Sequence, residues 1–107
     1  SQFFNITAEL SGLIRIMSPN GSEILYTDKE YRISWFADQR VLFDNIDISL
    51  KSADGKIVRK ITQNVPNTQY YNWIVSKDIP EGLYSLEVSA RRGSIVDQSD
   101  FYFSIKK

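Results

Sequence analysis

The chain has 107 residues, of which 42% are hydrophobic and 13% aromatic, a length and composition suited to one domain with one apolar core. Thirteen basic residues balance thirteen acidic residues, and this zero formal charge argues against a surface that attracts nucleic acid or anionic lipid. The chain has no cysteine and no histidine, which excludes disulfides, thiolate chemistry, imidazole metal sites and a serine-histidine-aspartate triad.

The first strand signal follows a segment, residues 1–12, that we predict to be a linker or an extra edge strand. From there on, apolar residues recur at every second position in short runs, which predicts β-strands. None of these runs reaches the roughly 18 residues of a membrane span. The run 13–17 ends at Pro19 and Asn20-Gly21, where a fixed φ and a tolerated positive φ favour a chain reversal. A short apolar piece follows at 24–25.

The middle of the chain contains the clearest alternation. In the run 31–36, Trp35 lies on the apolar face, which predicts that its side chain is buried. The runs 46–51 and 57–63 flank Asp54-Gly55, a dipeptide typical of a tight β-hairpin.

The last three runs cover 69–75, 83–90 and 95–105, and the length of the third predicts a bend near 97–100. Tyr84, two residues after Gly82, fits a tyrosine corner, in which the hydroxyl bonds back to the backbone near the strand entry. In each run, alternate large side chains share one face and are expected to be buried. They are Tyr71, Trp73, Val75, Tyr84, Leu86, Val88, Phe101, Phe103 and Ile105.

About seven strands without crossover helices predict an all-β fold, because parallel connections would need helices. The favoured architecture is an immunoglobulin-like antiparallel β-sandwich over residues 13–107, with a closed barrel as the structural alternative.

Six sequence pieces in a fixed order carry a family resemblance. They are IRIMSPNGSE (14–23), YRISW (31–35), IDISL (46–50), YNWIV (71–75), PEGLYSLEV (80–88) and SDFYFSI (99–105). Together they resemble the Ser-Thr-rich GPI-anchored cell-wall protein domain, a fungal cell-wall synthesis module that also occurs in bacterial surface proteins. The resemblance implies an immunoglobulin-like or fibronectin-type-III-like sandwich in an extracellular or cell-envelope protein, repeated or joined to other domains.

Carboxylates are the remaining candidates for catalysis or metal binding. A carboxylate pair can hydrolyse glycosides when a cleft holds the two groups at a fixed separation. The acidic residues here lie in predicted turns or on outward faces, so we predict no enzymatic activity and no cofactor. They include Asp44, Asp47, Asp78, Glu81, Asp97 and Asp100. Asp97 and Asp100, close together near the predicted bend, are candidate calcium ligands, and solvated turn acids are the alternative.

Four aromatic residues fall on predicted outward faces or in loops: Phe36, Phe43, Tyr70 and Tyr102. Such side chains can stack on sugars or anchor a protein partner, although single exposed aromatic residues also occur without a function. We predict these four as candidate contacts with a ligand or partner.

The functional prediction is a non-catalytic structural or interaction module of a larger cell-surface or secreted protein. Its expected partners are neighbouring domains of that protein, another surface protein or a polysaccharide, with no nucleic acid and no membrane span. The first alternative is a carbohydrate-binding accessory module of a cell-wall or polysaccharide-acting protein. The second is a structural module of a phage or an appendage.

Overall fold

Alternating runs form strands in the computed structural model, which describes residues 13–93 and 95–107. The predicted linker or extra edge strand over residues 1–12 lies outside these residues. Short 3₁₀ helices cover Gln39–Val41 and Arg91–Gly93. The strands of the described residues are β1 (Ile14–Ser18), β2 (Ile24–Tyr26), β3 (Glu30–Ala37), β4 (Ile46–Ser52), β5 (Ile57–Val65), β6 (Tyr70–Ile74), β7 (Gly82–Ala90), β8 (Ile95–Gln98) and β9 (Phe103–Lys106).

These strands form a smaller and a larger sheet. The smaller sheet has the order β1-β3-β6, and the larger one has the order β2-β9-β7-β4-β5, with β8 also paired to β7. The chain therefore crosses from one sheet to the other between β1 and β2. The β2–β9 pair is parallel, whereas the other pairs of the described residues are antiparallel. This arrangement confirms the predicted antiparallel β-sandwich.

The inward faces of both sheets supply one shared core. Trp35 and Trp73 are buried as predicted, and the Tyr84 hydroxyl donates a hydrogen bond of 2.6 Å to the Pro80 carbonyl, which confirms the tyrosine corner. Burial also raises the pKa of the Tyr84 hydroxyl. Among the largest fully buried side chains are Phe103, Ile14, Ile33, Ile46, Ile48, Leu50, Leu86 and Ile105.

The short piece at 24–25 forms β2, and the final predicted run divides into β8 and β9, so the described residues contain nine strands where about seven were expected. Between the pairs Glu87↔Gln98 and Tyr84↔Phe103, β7 has two residues and the β8–β9 segment has four. The extra residues bulge away from the sheet, close to the predicted bend. The prediction that Phe101 is buried is wrong, because its side chain is 71% exposed. Period-two alternation fails there since the segment is not continuously paired.

The loop before β6 ties the C-terminal end of β3, the central strand of the smaller sheet, to the first 3₁₀ helix. Asn67 accepts a hydrogen bond of 2.8 Å from the Trp35 indole Nε1 and donates one of 3.0 Å to the Val41 carbonyl. Gln69 accepts a hydrogen bond of 3.1 Å from the Ala37 amide through its side-chain oxygen. This loop therefore satisfies polar groups that would otherwise be shielded from water without a partner.

The described residues contain no helix long and apolar enough to cross a lipid bilayer.

Candidate functional site

The four predicted contact residues occupy three separate regions of the surface, and all four are exposed. Phe36 of β3 and Tyr70 of β6 belong to neighbouring strands of the smaller sheet. Tyr70 lies opposite Ser34, two residues from Phe36, so the two rings are diagonal neighbours on one face. Phe43 follows the first 3₁₀ helix and is 98% exposed, and Tyr102 lies in the β8–β9 connection. The structure thus brings together only two of the four.

The outer face of the smaller sheet, which we call the β1-β3-β6 face, exposes further apolar side chains. Met17 lines a cavity of about 240 Å³ with Arg15 and Phe36. Ile74 is exposed two strands away on β6. Alternation placed Ile74 outward, but Met17 was missed because it ends its run beside a register shift between Ile16 and Ser18. The sequence signal that could have found Met17 is alternation, which places it on the same face as Arg15 and opposite to Ile16.

Arginine side chains flank the aromatic residues of the β1-β3-β6 face. The Arg32 guanidinium carbon lies 4.6 Å from the centroid of the Tyr70 ring, a cation–π geometry. The Arg32 Nε also donates a hydrogen bond of 3.4 Å to the Asn72 side-chain oxygen. Arg15 is paired opposite Phe36. Arginine and tyrosine are enriched at the energetic centres of protein interfaces, so this composition is typical of a contact surface.

A second concave region lies where the β8–β9 connection approaches the β4–β5 hairpin. It has a volume of about 350 Å³ and is lined by Phe101 and Tyr102 with Lys51 and Gln98 among the polar side chains. The Tyr102 hydroxyl donates a hydrogen bond of 3.1 Å to the Ala53 carbonyl, which links the two segments. We call it the Phe101–Tyr102 cavity.

The remaining acidic candidates have structural partners. Asp44 forms an ion pair of 2.8 Å with Arg91, and Asp78 forms one of 2.8 Å with Arg59. Asp47 accepts a hydrogen bond of 2.6 Å from the Asn64 amide. Glu81 accepts one of 2.8 Å from the Lys107 amide. These contacts hold turns and strand ends together, and they do not gather the carboxylates into a shared cleft.

The candidate calcium ligands both accept hydrogen bonds from the segment around β1. Asp97 Oδ2 accepts one of 2.8 Å from the Ile16 amide and thereby joins β8 of the larger sheet to β1 of the smaller sheet. Asp100 Oδ2 accepts one of 3.0 Å from the Asn20 side-chain amide. Across residues 13–93 and 95–107, no three histidine, cysteine, aspartate or glutamate side chains come together to hold a metal ion.

The partial burial of Asp97 shifts the pKa of its carboxyl group. Burial raises the pKa of this carboxyl above its ordinary value, and repulsion from Asp100 adds to the rise, while the Ile16 amide and Arg15 act in the opposite direction. Because the pKa is higher in the folded chain, the folded state binds more protons, and Asp97 reduces stability as the pH rises through that pKa.

We therefore expect Asp97→Asn to raise the free energy of unfolding at pH 7, by less than about 1 kcal/mol because the group is only partly buried. The asparagine oxygen can still accept the Ile16 hydrogen bond. The advantage should shrink towards zero as the pH falls below about 3.9, the ordinary pKa of an aspartate, because the wild-type carboxyl then becomes protonated in both states. Urea unfolding of both chains between pH 3.5 and 8 measures this difference, and a gap that widens on acidification would contradict the assignment.

Comparison with known proteins gives a fold and no family. No protein-family model matches the chain, and no curated protein sequence does. A solved structure of fibronectin(III)-like modules of Clostridium thermocellum CbhA matches with a TM-score of 0.55 and 15% identity, over 87% of this chain and 96% of that one. The chain has a fibronectin-type-III-like fold.

Extracellular domains 3–5 of Drosophila OTK also match this fibronectin-type-III-like chain. The TM-score is 0.51 and the identity 12%, over 88% of this chain and 35% of that one. The chain thus spans about a third of the OTK structure. These matches agree with the immunoglobulin-like or fibronectin-type-III-like sandwich expected from the sequence, but they do not extend to the Ser-Thr-rich cell-wall family.

Proposed function

We propose that this chain is a non-catalytic module of a larger secreted or cell-surface protein, and that it packs against a neighbouring domain of that protein through the β1-β3-β6 face. The observation that carries the proposal is the grouping of exposed Met17, Phe36, Tyr70 and Ile74 on the rigid strands of one sheet. Exposed apolar groups on ordered backbone cost little entropy to bury in an interface.

The charges of this face define the chemistry of its partner. Arg15 and Arg32 lie among the apolar side chains and outnumber Glu30, which lies opposite Ile74 on this face, and the described residues place no acidic partner on either guanidinium at ion-pair distance. The complementary surface should therefore combine apolar side chains with carboxylates. An interface between domains of one chain typically buries about 600–1,500 Å², an area that one face of a small sheet can supply.

The comparisons support a modular, extracellular setting. The OTK structure consists of extracellular domains 3–5, and the CbhA structures are those of fibronectin(III)-like modules. By analogy with the CbhA modules, the fibronectin-type-III-like fold supports a role as a non-catalytic module. The missing histidine and cysteine and the structural roles of the described carboxylates support the same interpretation.

Hydroxyl-radical footprinting of the intact parent protein tests the proposal. Oxidation of Met17, Phe36 and Tyr70 should be several-fold slower in the parent than in the isolated chain. Phe43, which follows the first 3₁₀ helix and belongs to no strand of the β1-β3-β6 face, should be oxidised at the same rate in both. Equal rates at Met17, Phe36 and Tyr70 in the two proteins would reject the proposed interface.

A matched pair of variants distinguishes protection of Met17 by the proposed interface from protection that the parent protein gives to the chain as a whole. Phe36→Ser should restore oxidation of Met17 in the intact parent, because it removes an apolar contact from the interface. Val96→Ser should leave Met17 protected, because Val96 is similarly exposed (49% against 45% for Phe36) but belongs to the larger sheet. Continued protection of Met17 in Phe36→Ser would place the buried contact elsewhere.

A further inference from the structure

The backbone that carries Phe101 and Tyr102 is held firmly although their side chains are exposed. The Phe101 amide donates a hydrogen bond of 2.9 Å to the Asn20 carbonyl, and the Ser22 amide donates one of 2.9 Å to the Tyr102 carbonyl. Gly21 lies directly against Phe101, since a Cβ atom there would approach the Phe101 Cβ to 2.5 Å. The segment between β8 and β9 is therefore fixed against the loop before β2, and its two rings are presented to solvent in a set position.

The polar side chains around the Phe101–Tyr102 cavity supply both hydrogen-bond donors and acceptors. Lys51 lines the cavity, and its Nζ lies 3.4 Å from the Glu87 Oε1 in a largely shielded ion pair. Gln98, another lining residue, contributes an amide that can donate and accept. The Lys51 ammonium and the Asp100 carboxylate both line the cavity, and together they suit hydroxyl groups, which accept from the one and donate to the other.

We propose that the Phe101–Tyr102 cavity binds one ring of a neutral saccharide. The apolar face of a sugar ring can stack on an exposed aromatic side chain, and Phe101 is 71% exposed. The hydroxyl groups at the ring edge find the donors and acceptors of Lys51, Gln98 and Asp100, which all line the cavity. The volume of about 350 Å³ is at the lower end of the roughly 300–1,000 Å³ of small-molecule sites, which fits a single ring.

The balance of charge at the cavity favours a neutral sugar over an anionic one. Lys51 is already paired with Glu87, and Asp100 also lines the cavity, so a carboxylate or sulfate on the ligand would meet negative groups without an unpaired cation. A protein partner is less suited, because the cavity is concave and most of its lining residues are polar. This site is on the larger sheet, and it goes beyond the proposed packing of the β1-β3-β6 face.

Titration of the chain with cellohexaose, laminarihexaose, mannohexaose and chitohexaose, followed by amide NMR shifts, tests the proposal. At least one of these neutral oligosaccharides should shift the amides of residues 51–55 and 98–102 in a saturable way. Phe101→Leu should lower the affinity by about tenfold, because it keeps an apolar side chain but removes the ring. Phe101→Tyr should retain the affinity, because it keeps the ring.

Phe43→Ala serves as the control, since Phe43 is exposed on a loop that does not line the cavity, and it should bind as the wild type does. Gly21→Ala should weaken binding without removing a contact, because it displaces the Phe101 backbone. The absence of saturable shifts with all four sugars at about 10 mM, at the weak end of measurable affinity, would overturn the proposal. Shifts centred on Phe36 and Tyr70 would also overturn it. Neither result would affect the footprinting expected for the β1-β3-β6 face.

Discussion

Phe103→Ala is expected to lower the free energy of unfolding by about 3–5 kcal/mol, the usual cost of deleting a buried phenylalanine ring. Phe103 has no exposed surface and lies opposite Tyr84 in the pairing of β9 with β7. Its removal leaves a cavity where the two sheets meet. Because small domains have free energies of unfolding of about 5–15 kcal/mol, this variant should lose a large part of its stability. Urea unfolding followed by tryptophan fluorescence measures the change.

Phe101→Ala is the matched control for this prediction. It makes the same chemical change two residues earlier in the chain, at a side chain that is 71% exposed. We expect a loss of less than about 0.5 kcal/mol, as for surface substitutions in general. Similar losses in the two variants would mean that both rings lie in the core, as the simple alternation of the sequence predicts.

Asn67→Ala is expected to cost about 2–4 kcal/mol, although it changes a polar residue in a loop. Two groups lose their partner at once: the Trp35 indole N–H and the Val41 carbonyl. Trp35 is 2% exposed and Val41 is fully buried, so water can replace neither hydrogen bond well. An unsatisfied buried polar group costs about 1–3 kcal/mol.

A double-mutant cycle with Trp35→Phe isolates the bond between Trp35 and Asn67. In the Trp35→Phe background, Asn67→Ala should cost less than in the wild type, because the indole donor is already absent. Asn45→Ala, which removes an exposed side-chain hydrogen bond to Asn64, should cost less than about 0.5 kcal/mol. Equal costs for Asn67→Ala in both backgrounds would show that the indole contact contributes nothing.

The sequence was sufficient for most of the strands, because alternation and turn residues are local signals. The burial of Trp35, the hairpin at Asp54-Gly55 and the corner at Tyr84 follow from such signals, and the structure confirms all three. Phe101 was placed wrongly because a bulge changes the face of a residue without changing its parity in the sequence.

The candidate sites depend on pairings between distant parts of the chain. Phe36 and Tyr70 could each be placed outward, but their proximity follows from the register of β3 on β6. The Phe101–Tyr102 cavity forms only where the β8–β9 segment meets the β4–β5 hairpin, through Tyr102 and Ala53. The role of Asn67 could not be predicted from the sequence, because its hydrogen-bond partners lie 32 and 26 residues away.

The parallel pairing of β2 with β9 determines how the module would respond to mechanical tension. Backbone hydrogen bonds of 2.9 Å join Ser22 to Tyr102, Ser104 to Glu23 and Thr27 to Lys106 along this pair. A pull that enters from β1 and leaves through Lys107 draws the two strands past each other and loads these bonds together in shear. Antiparallel strands pulled from one end would instead separate one bond at a time. In a chain of domains under load, this pair would resist separation more than an antiparallel pair of the same length pulled from one end.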